Sequence, residues 1–144
     1  RMRPVFEAHG VDLDRRVRVV GLVDEATFLR ELWQADLVLD ALSWSGGVTA
    51  LETFWGDVPI LTLPGAFMRG RHTAAMLQLM ALPELIAADV EDFVARAIAL
   101  ARDADARARL RRLIRDRKPR LYREDAVIDA FAALLEREVR ARIG

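Results

Sequence analysis

The chain has 144 residues, 53% of them hydrophobic, with 22 Lys and Arg balanced by 22 Asp and Glu. That length suits one domain with a buried core, and zero formal charge supplies no global field toward nucleic acid or a membrane. The lack of cysteine excludes disulfides and thiolate metal sites and fits a reducing cytoplasm, and no apolar run reaches the ~18 residues a membrane span needs.

In chain order, Arg1–Ala8 reads as the end of a helix that Gly10 stops in left-handed conformation. Because the sequence opens inside this pattern at Arg1, we expect it to be a piece of something larger. Arg18–Gly21 predicts a short buried strand. Asp24 caps an expected helix over Glu25–Ala35, with Phe28, Leu29, Leu32 and Trp33 on one side.

Next comes the stretch that organises the rest. Leu37–Leu39 predicts a strand, Ser45-Gly46-Gly47 closes a loop, Val48–Trp55 predicts a helix ended by Gly56, and Pro59–Leu63 predicts a second strand. This is a strand–loop–helix–strand unit of the βαβ kind, which argues a Rossmann-like parallel sheet flanked by helices. Adjacent glycines permit positive φ and a close backbone approach to a ligand. The free N–H groups of the following helical turn then favour an anion, a phosphate first of all. A plain Gly-rich turn without a ligand is the competing reading. Thr49 adds a hydroxyl in the first turn. Glu52, one turn on, can accept from ribose hydroxyls or simply be an acid favoured by the helix N-terminus.

After Pro64, a loop over 65–70 leads to an expected helix, Arg71–Leu82, burying Ala75, Met76, Leu79 and Met80. Arg69, Arg71 and His72 open that helix just past a strand end, where they can converge on the phosphates. Two solvated arginines and a capping His are the alternative. Helices are then expected over Asp89–Ala101, from Asp103 to about Arg117, and from about Glu124 to Ala141. The last has the stripe Val127, Ile128, Phe131, Leu134, Leu135 and Val139. The fold class is therefore α/β with a helical C-terminal part.

Arg102–Arg123 contains ten basic residues. A nucleic-acid or anionic-membrane patch is one reading, but the solvated face of a helix with Ala106, Leu110, Leu113 and Ile114 inside is favoured. Trp33 and Trp55 are expected in the core, and Trp44 half-buried beside Ser45. No metal-ligand spacing and no nucleophile–base pair stands out.

The run SGGVTALETFWGDVPILTLPG resembles the nucleotide-binding segment of two-domain GT-B glycosyltransferases, in its glycine pair, Thr49, Glu52 and a G-x-P that becomes Gly56-Asp57-Val58-Pro59 here. It is most similar to the O-linked N-acetylglucosamine transferase (SPINDLY-like) family, in the bacterial branch often fused to tetratricopeptide repeats. Asp36–Asp40, Thr62–Gly65, Phe67–His72, Leu82–Ile86, Leu121-Tyr122 and Asp125 extend the likeness from about Gly10 to Glu136. The resemblance implies a single nucleotide-sugar-binding domain over 1–144, part of an enzyme that transfers a sugar such as N-acetylglucosamine from a UDP-sugar to a protein hydroxyl. It implies that Gly46, Gly47 and Thr49 hold the diphosphate, Glu52 the ribose, and Arg71 with His72 the phosphate charge, with Ser45 also among the binding residues. No metal or other cofactor is implied. The acceptor-side domain, another diphosphate Lys and the proposed general base lie upstream in the family, so the chain by itself is expected to be inactive.

Three departures bear on this. Val48 stands where the family has a hydroxyl residue, and Glu25 and Phe28 match positions that hold Lys and His in sugar-transferring members. They support an alternative, a Rossmann-like interaction or scaffold domain that has lost nucleotide binding.

Overall fold

The computed structural model describes residues 2–122 and 125–143. Arg1, Arg123, Glu124 and Gly144 lie outside the described residues, and with them the expected starts of the first and last helices. The first half contains α1 (Arg3–Ala8), α2 (Leu13–Arg16), α3 (Glu25–Trp33), β1 (Val38–Leu39), α4 (Val48–Trp55), β2 (Ile60–Leu61) and α5 (His72–Leu79). The second half is helical: α6 (Val90–Arg102), α7 (Ala104–Arg117), α8 (Pro119–Tyr122) and α9 (Asp125–Ile143). Short 3-10 turns lie at Met68–Gly70 and Pro83–Leu85.

The α/β class and the helical C-terminal part are as expected. β1 and β2 pair in parallel, Val38 opposite Ile60 and Leu39 opposite Leu61, and Thr62 bridges to Ile86 on the far side of β2. The sheet is smaller than the sequence suggests. Arg18–Gly21 forms no strand: among the described residues no ladder bond reaches it, and Val19 is 88% exposed. An apolar run holds strand geometry only where a neighbour takes its N–H and C=O groups. The helix α2 had no counterpart in the sequence reading; Asp12 nucleates it by accepting from the amides of Asp14 and Arg15.

Acidic caps also start α3, α6 and α7. Asp24 accepts from Thr27 N at 3.0 Å, Asp89 from Asp92 N at 2.8 Å and Asp103 from Ala106 N at 2.8 Å. Gly10 takes the left-handed conformation with φ +66°. Gly56 does not, with φ −80°; Asp57, at φ 62°, makes that turn instead.

Ala50 and Phe54 from α4, Ile60, Leu77 from α5, Met80, Leu82, Leu85, and Leu110 and Ile114 from α7 form the main core. Leu61, Ala87 and Phe93 form a smaller one. α5 turns a different face inward than its hydrophobicity suggests. Thr73, Ala74, Leu77 and Met80 are buried, while Ala75 and Leu79 face out, because Thr73 is drawn inward by the loop before α4. On α6 only Phe93 is buried, with Val90, Val94 and Ile98 exposed. The stripe of α9 is exposed along its described length. Trp33 is more than a third exposed and Trp55 is exposed, packing edge-on against Tyr122 with Lys118 Nζ 5.3 Å from its ring. Among the described residues no helix is long and apolar enough to cross a membrane.

Four residues of the basic run act inward. Arg107 Nη1 donates to the carbonyls of Leu100 and Ala101 at the end of α6, and its guanidinium pairs with Asp36. Arg111 donates to Ala35 O just past α3, Arg117 to Met80 O and Ala81 O past α5, and Lys118 to Trp55 O at the end of α4. Each satisfies a carbonyl that a terminating helix leaves without an intrahelical partner. Leu110 and Ile114 are buried beneath. Arg102, Arg109, Arg112, Arg115 and Arg120 stay exposed, so the run keeps the expected solvated face, with four cations turned to carbonyls besides.

Candidate functional site

The loop between β1 and α4 crosses the carboxyl end of the sheet, where open α/β folds bind ligands. Its geometry starts from Asp40, the first residue past β1. Asp40 Oδ1 accepts from Ala41 N at 3.0 Å and Gly46 N at 2.9 Å, while Oδ2 accepts from Ser45 Oγ at 2.8 Å and Thr62 Oγ1 at 2.7 Å. The loop is thereby folded back onto the end of its own strand and the end of β2.

The same loop is joined to the start of α5. Ser45 N donates to Arg69 O at 2.8 Å, and Thr73 N donates to Ser45 Oγ at 2.9 Å. Gly65 N donates to Gly70 O at 2.9 Å, and a Cβ on Gly70 would stand only 3.4 Å from Gly65 Cα. This tight approach closes the 65–70 loop and sets Arg69, Arg71 and His72 beside Ser45.

Both glycines of the pair have negative φ, so positive φ is not what they supply. Gly46 supplies closeness: a Cβ there would lie 3.3 Å from Ala50 Cβ and N. Gly47 is the N-cap of α4, with φ −93° and ψ −98°, and its carbonyl accepts from Ala50 N and Leu51 N. No side chain caps this helix. Among the described residues, the N–H groups of Gly47, Val48 and Thr49 have no hydrogen-bond acceptor. They are the unfilled donors that a helix N-terminus offers to an anion.

The remaining residues divide as follows. Ser45 is buried and its hydroxyl is engaged by Asp40 and Thr73, so it ties the loops together from behind. Thr49 is exposed on the first turn of α4, and Glu52 is half-buried one turn along. Arg71 is exposed at the N-cap position of α5 and His72 is its first residue; His72 Nδ1 is buried with no partner among the described residues. Arg69 lies over the Phe67 ring, 4.8 Å from its centroid. Trp44, expected half-buried, is 68% exposed. It lines a groove of about 250 Å³ with Leu39, Asp40, Gly46, Thr49 and Thr53. Among the described residues no group of three or more His, Asp or Glu is placed to hold a metal ion.

Asp40, Thr62 and Thr73 were not singled out from sequence as site residues. The available signal was an acid closing an apolar strand a few residues before a glycine pair, with threonines just past the next strand and in the next helix's first turn.

Comparison with known proteins places this geometry in context. Residues 3–124 match the family model described as Glycosyl transferase family 41. The chain is 31% identical over 77 residues to a UDP-N-acetylglucosamine–peptide N-acetylglucosaminyltransferase of Caenorhabditis elegans, covering 54% of this chain and 7% of that protein. It is 24% identical over 119 residues to the enzyme of that name in Giardia intestinalis, covering 83% of this chain and 8% of that one. A solved structure of an O-GlcNAc transferase variant from Thermobaculum terrenum superposes with a TM-score of 0.77 at 32% identity, over 97% of this chain and 26% of that chain. The chain thus spans less than a tenth of these two curated relatives and about a quarter of the solved one.

Proposed function

The chain belongs to glycosyl transferase family 41, and on that premise we propose that it is the part of a larger enzyme that binds the nucleotide-sugar donor. The observation that carries the reading is the uncapped start of α4, where the amides of Gly47, Val48 and Thr49 stand without acceptors beside the start of α5. A diphosphate supplies the negative charge those donors and the helix dipole favour. The Thr49 hydroxyl adds a donor, Glu52 accepts from the ribose, and Arg71 with His72 offsets the phosphate charge.

The donor is a UDP-sugar, N-acetylglucosamine being the sugar in the relatives' names, and the acceptor is a protein hydroxyl. In the transfer, the bond from the anomeric carbon to the diphosphate oxygen breaks and its electron pair leaves with the UDP. The acceptor oxygen bonds to that carbon and gives its proton to a base. Amides, Thr49 and Arg71 stabilise the departing charge. The base and the acceptor-side domain belong to the upstream part of the parent protein, with tetratricopeptide repeats before them, and the whole works in the cytoplasm. The chain alone is inactive.

Titration of uridine diphosphate, followed by calorimetry or NMR, tests the site. Thr49→Val and Glu52→Ala are each expected to weaken binding about five- to tenfold. Binding indifferent to both substitutions ends the assignment. Val48, exposed and without a donor, favours a second reading as an interaction domain that no longer binds nucleotide. That reading requires silence in the same titration and no transfer by the intact protein.

A further inference from the structure

The structure assigns Asp40 the role of positioning residue for the anion cradle: its carboxylate turns the Gly46 amide inward and so fixes the three following amides outward. This rests on the diphosphate reading of the α4 N-terminus.

Both carboxylate oxygens are fully engaged. Oδ1 holds the amides of Ala41 and Gly46, and Oδ2 holds the hydroxyls of Ser45 and Thr62. The hydroxyl partners are themselves buried, as is Thr73, so solvent cannot replace a lost bond. Ser45 Oγ has one proton, and an ionised carboxylate can only accept. That proton therefore goes to Asp40, and in the 2.8 Å contact between Ser45 Oγ and Thr73 Oγ1 the threonine is the donor. Ser45 Oγ also accepts from Thr73 N. One carboxylate thus sets the direction of a chain of hydrogen bonds linking the end of β1, the end of β2, the glycine loop and the first turn of α5. With both oxygens taken by four donors, Asp40 has no acceptor capacity left to be a base for the acceptor or a ligand for the sugar. It acts through Gly46 and Ser45.

The geometry also says which substitution restores the role. In Asp40→Asn, the amide oxygen still accepts from Ala41 N and Gly46 N. Its NH2 donates to Ser45 and Thr62, whose hydroxyls then accept, and the Ser45 proton passes to Thr73 Oγ1, leaving Thr73 free to donate to Gly46 O at 3.4 Å. Asp40→Ala removes the acceptor that four donors share.

The test is a uridine diphosphate titration of the chain and its variants, with amide exchange read at Gly46, Gly47 and the core residues Leu61 and Leu77. Asp40→Ala is expected to weaken binding about tenfold and to speed exchange at Gly46 about tenfold, with the core amides unchanged. Asp40→Asn is expected to return both to within about threefold of the parent, a rescue that loss of a mere structural prop would not show. If Asp40→Ala does not fold, Ser45→Ala carries the test, with binding expected to weaken about fivefold. Parent-like affinity in Asp40→Ala or, failing that, in Ser45→Ala overturns the assignment, as does Asp40→Asn being as damaging as Asp40→Ala. If the parent chain binds no uridine diphosphate, the nucleotide reading fails. Gly46 exchange then decides for Asp40 alone: faster in Asp40→Ala upholds the positioning role, and unchanged ends it.

Discussion

Trp33 lies across Gly56 so closely that a Cβ on the glycine would fall 2.1 Å from Trp33 Cδ1. The indole Nε1 donates to Glu52 O at 2.8 Å in the same contact, which fastens α3 to the last turn of α4. Gly56→Ala must therefore push the ring away and forfeit that bond. We expect a loss of about 1–3 kcal/mol in stability, measured by urea unfolding, with Trp33 fluorescence shifted toward that of a more exposed indole.

Asp57 gives the fold an acid sensitivity of known sign. Its side chain is only 14% exposed. Burial opposes its ionisation, but hydrogen bonds and charges from Lys118 and Arg115 outweigh that and hold its carboxyl below the usual range. Lys118 Nζ is 2.9 Å from Oδ1 and Arg115 Nε 2.8 Å from Oδ2. A carboxylate whose folded pKa is lowered contributes stability above its unfolded value, near about 4, and loses it as pH falls through the folded value. Asp57→Asn tolerates the left-handed backbone at this position. It is expected to be less stable than the parent by about 1 kcal/mol at pH 7, with the gap closing at a pH well below the usual carboxylate range. Urea unfolding at the two pH values measures both.

Val48 is exposed on the first turn of α4, next to Thr49. If an anion sits there, a hydroxyl at 48 adds a donor without disturbing the core. Val48→Thr is expected to tighten uridine diphosphate binding about fivefold by calorimetry, and to leave the melting temperature within about a degree. Unchanged affinity would move the diphosphate off this turn.

Neutralising the basic helix discriminates its two readings. Arg107→Gln and Arg117→Gln remove donors from carbonyls at the ends of α6 and α5. Each is expected to lower stability by about 1 kcal/mol and, if the guanidinium groups work inward, to change retention on single- or double-stranded DNA not at all. Salt-sensitive retention that disappears in the variants would restore the nucleic-acid reading.

The features legible in the sequence are those with a local cause. Asp24, Asp89 and Asp103 announced helix starts because a cap bonds an amide two or three residues away. Gly10 announced a left-handed stop, and the glycine pair announced the loop. What escaped depends on distant partners. Trp55 looks like core on a helical wheel, but α4 turns it toward Tyr122 and Lys118 instead. Ala75 and Leu79 are as apolar as the residues that replaced them inside, and only the bond between Thr73 and Ser45 settles which face of α5 goes in. The role of Asp40 depends on Thr62, which is remote in sequence, and no spacing rule encodes it. The inward turn of Arg107, Arg111, Arg117 and Lys118 escaped for the same reason, since their acceptors are carbonyls at the ends of other helices.

Those carbonyl clasps have a consequence for how the molecule comes into being. On a ribosome, the glycine loop and both its flanking helices emerge first, while the groups that finish the ends of α3, α4 and α5 are Arg111, Lys118 and Arg117, synthesised later. Until that later segment is made, those helix ends lack these donors and the apolar face that Leu110 and Ile114 cover stays open.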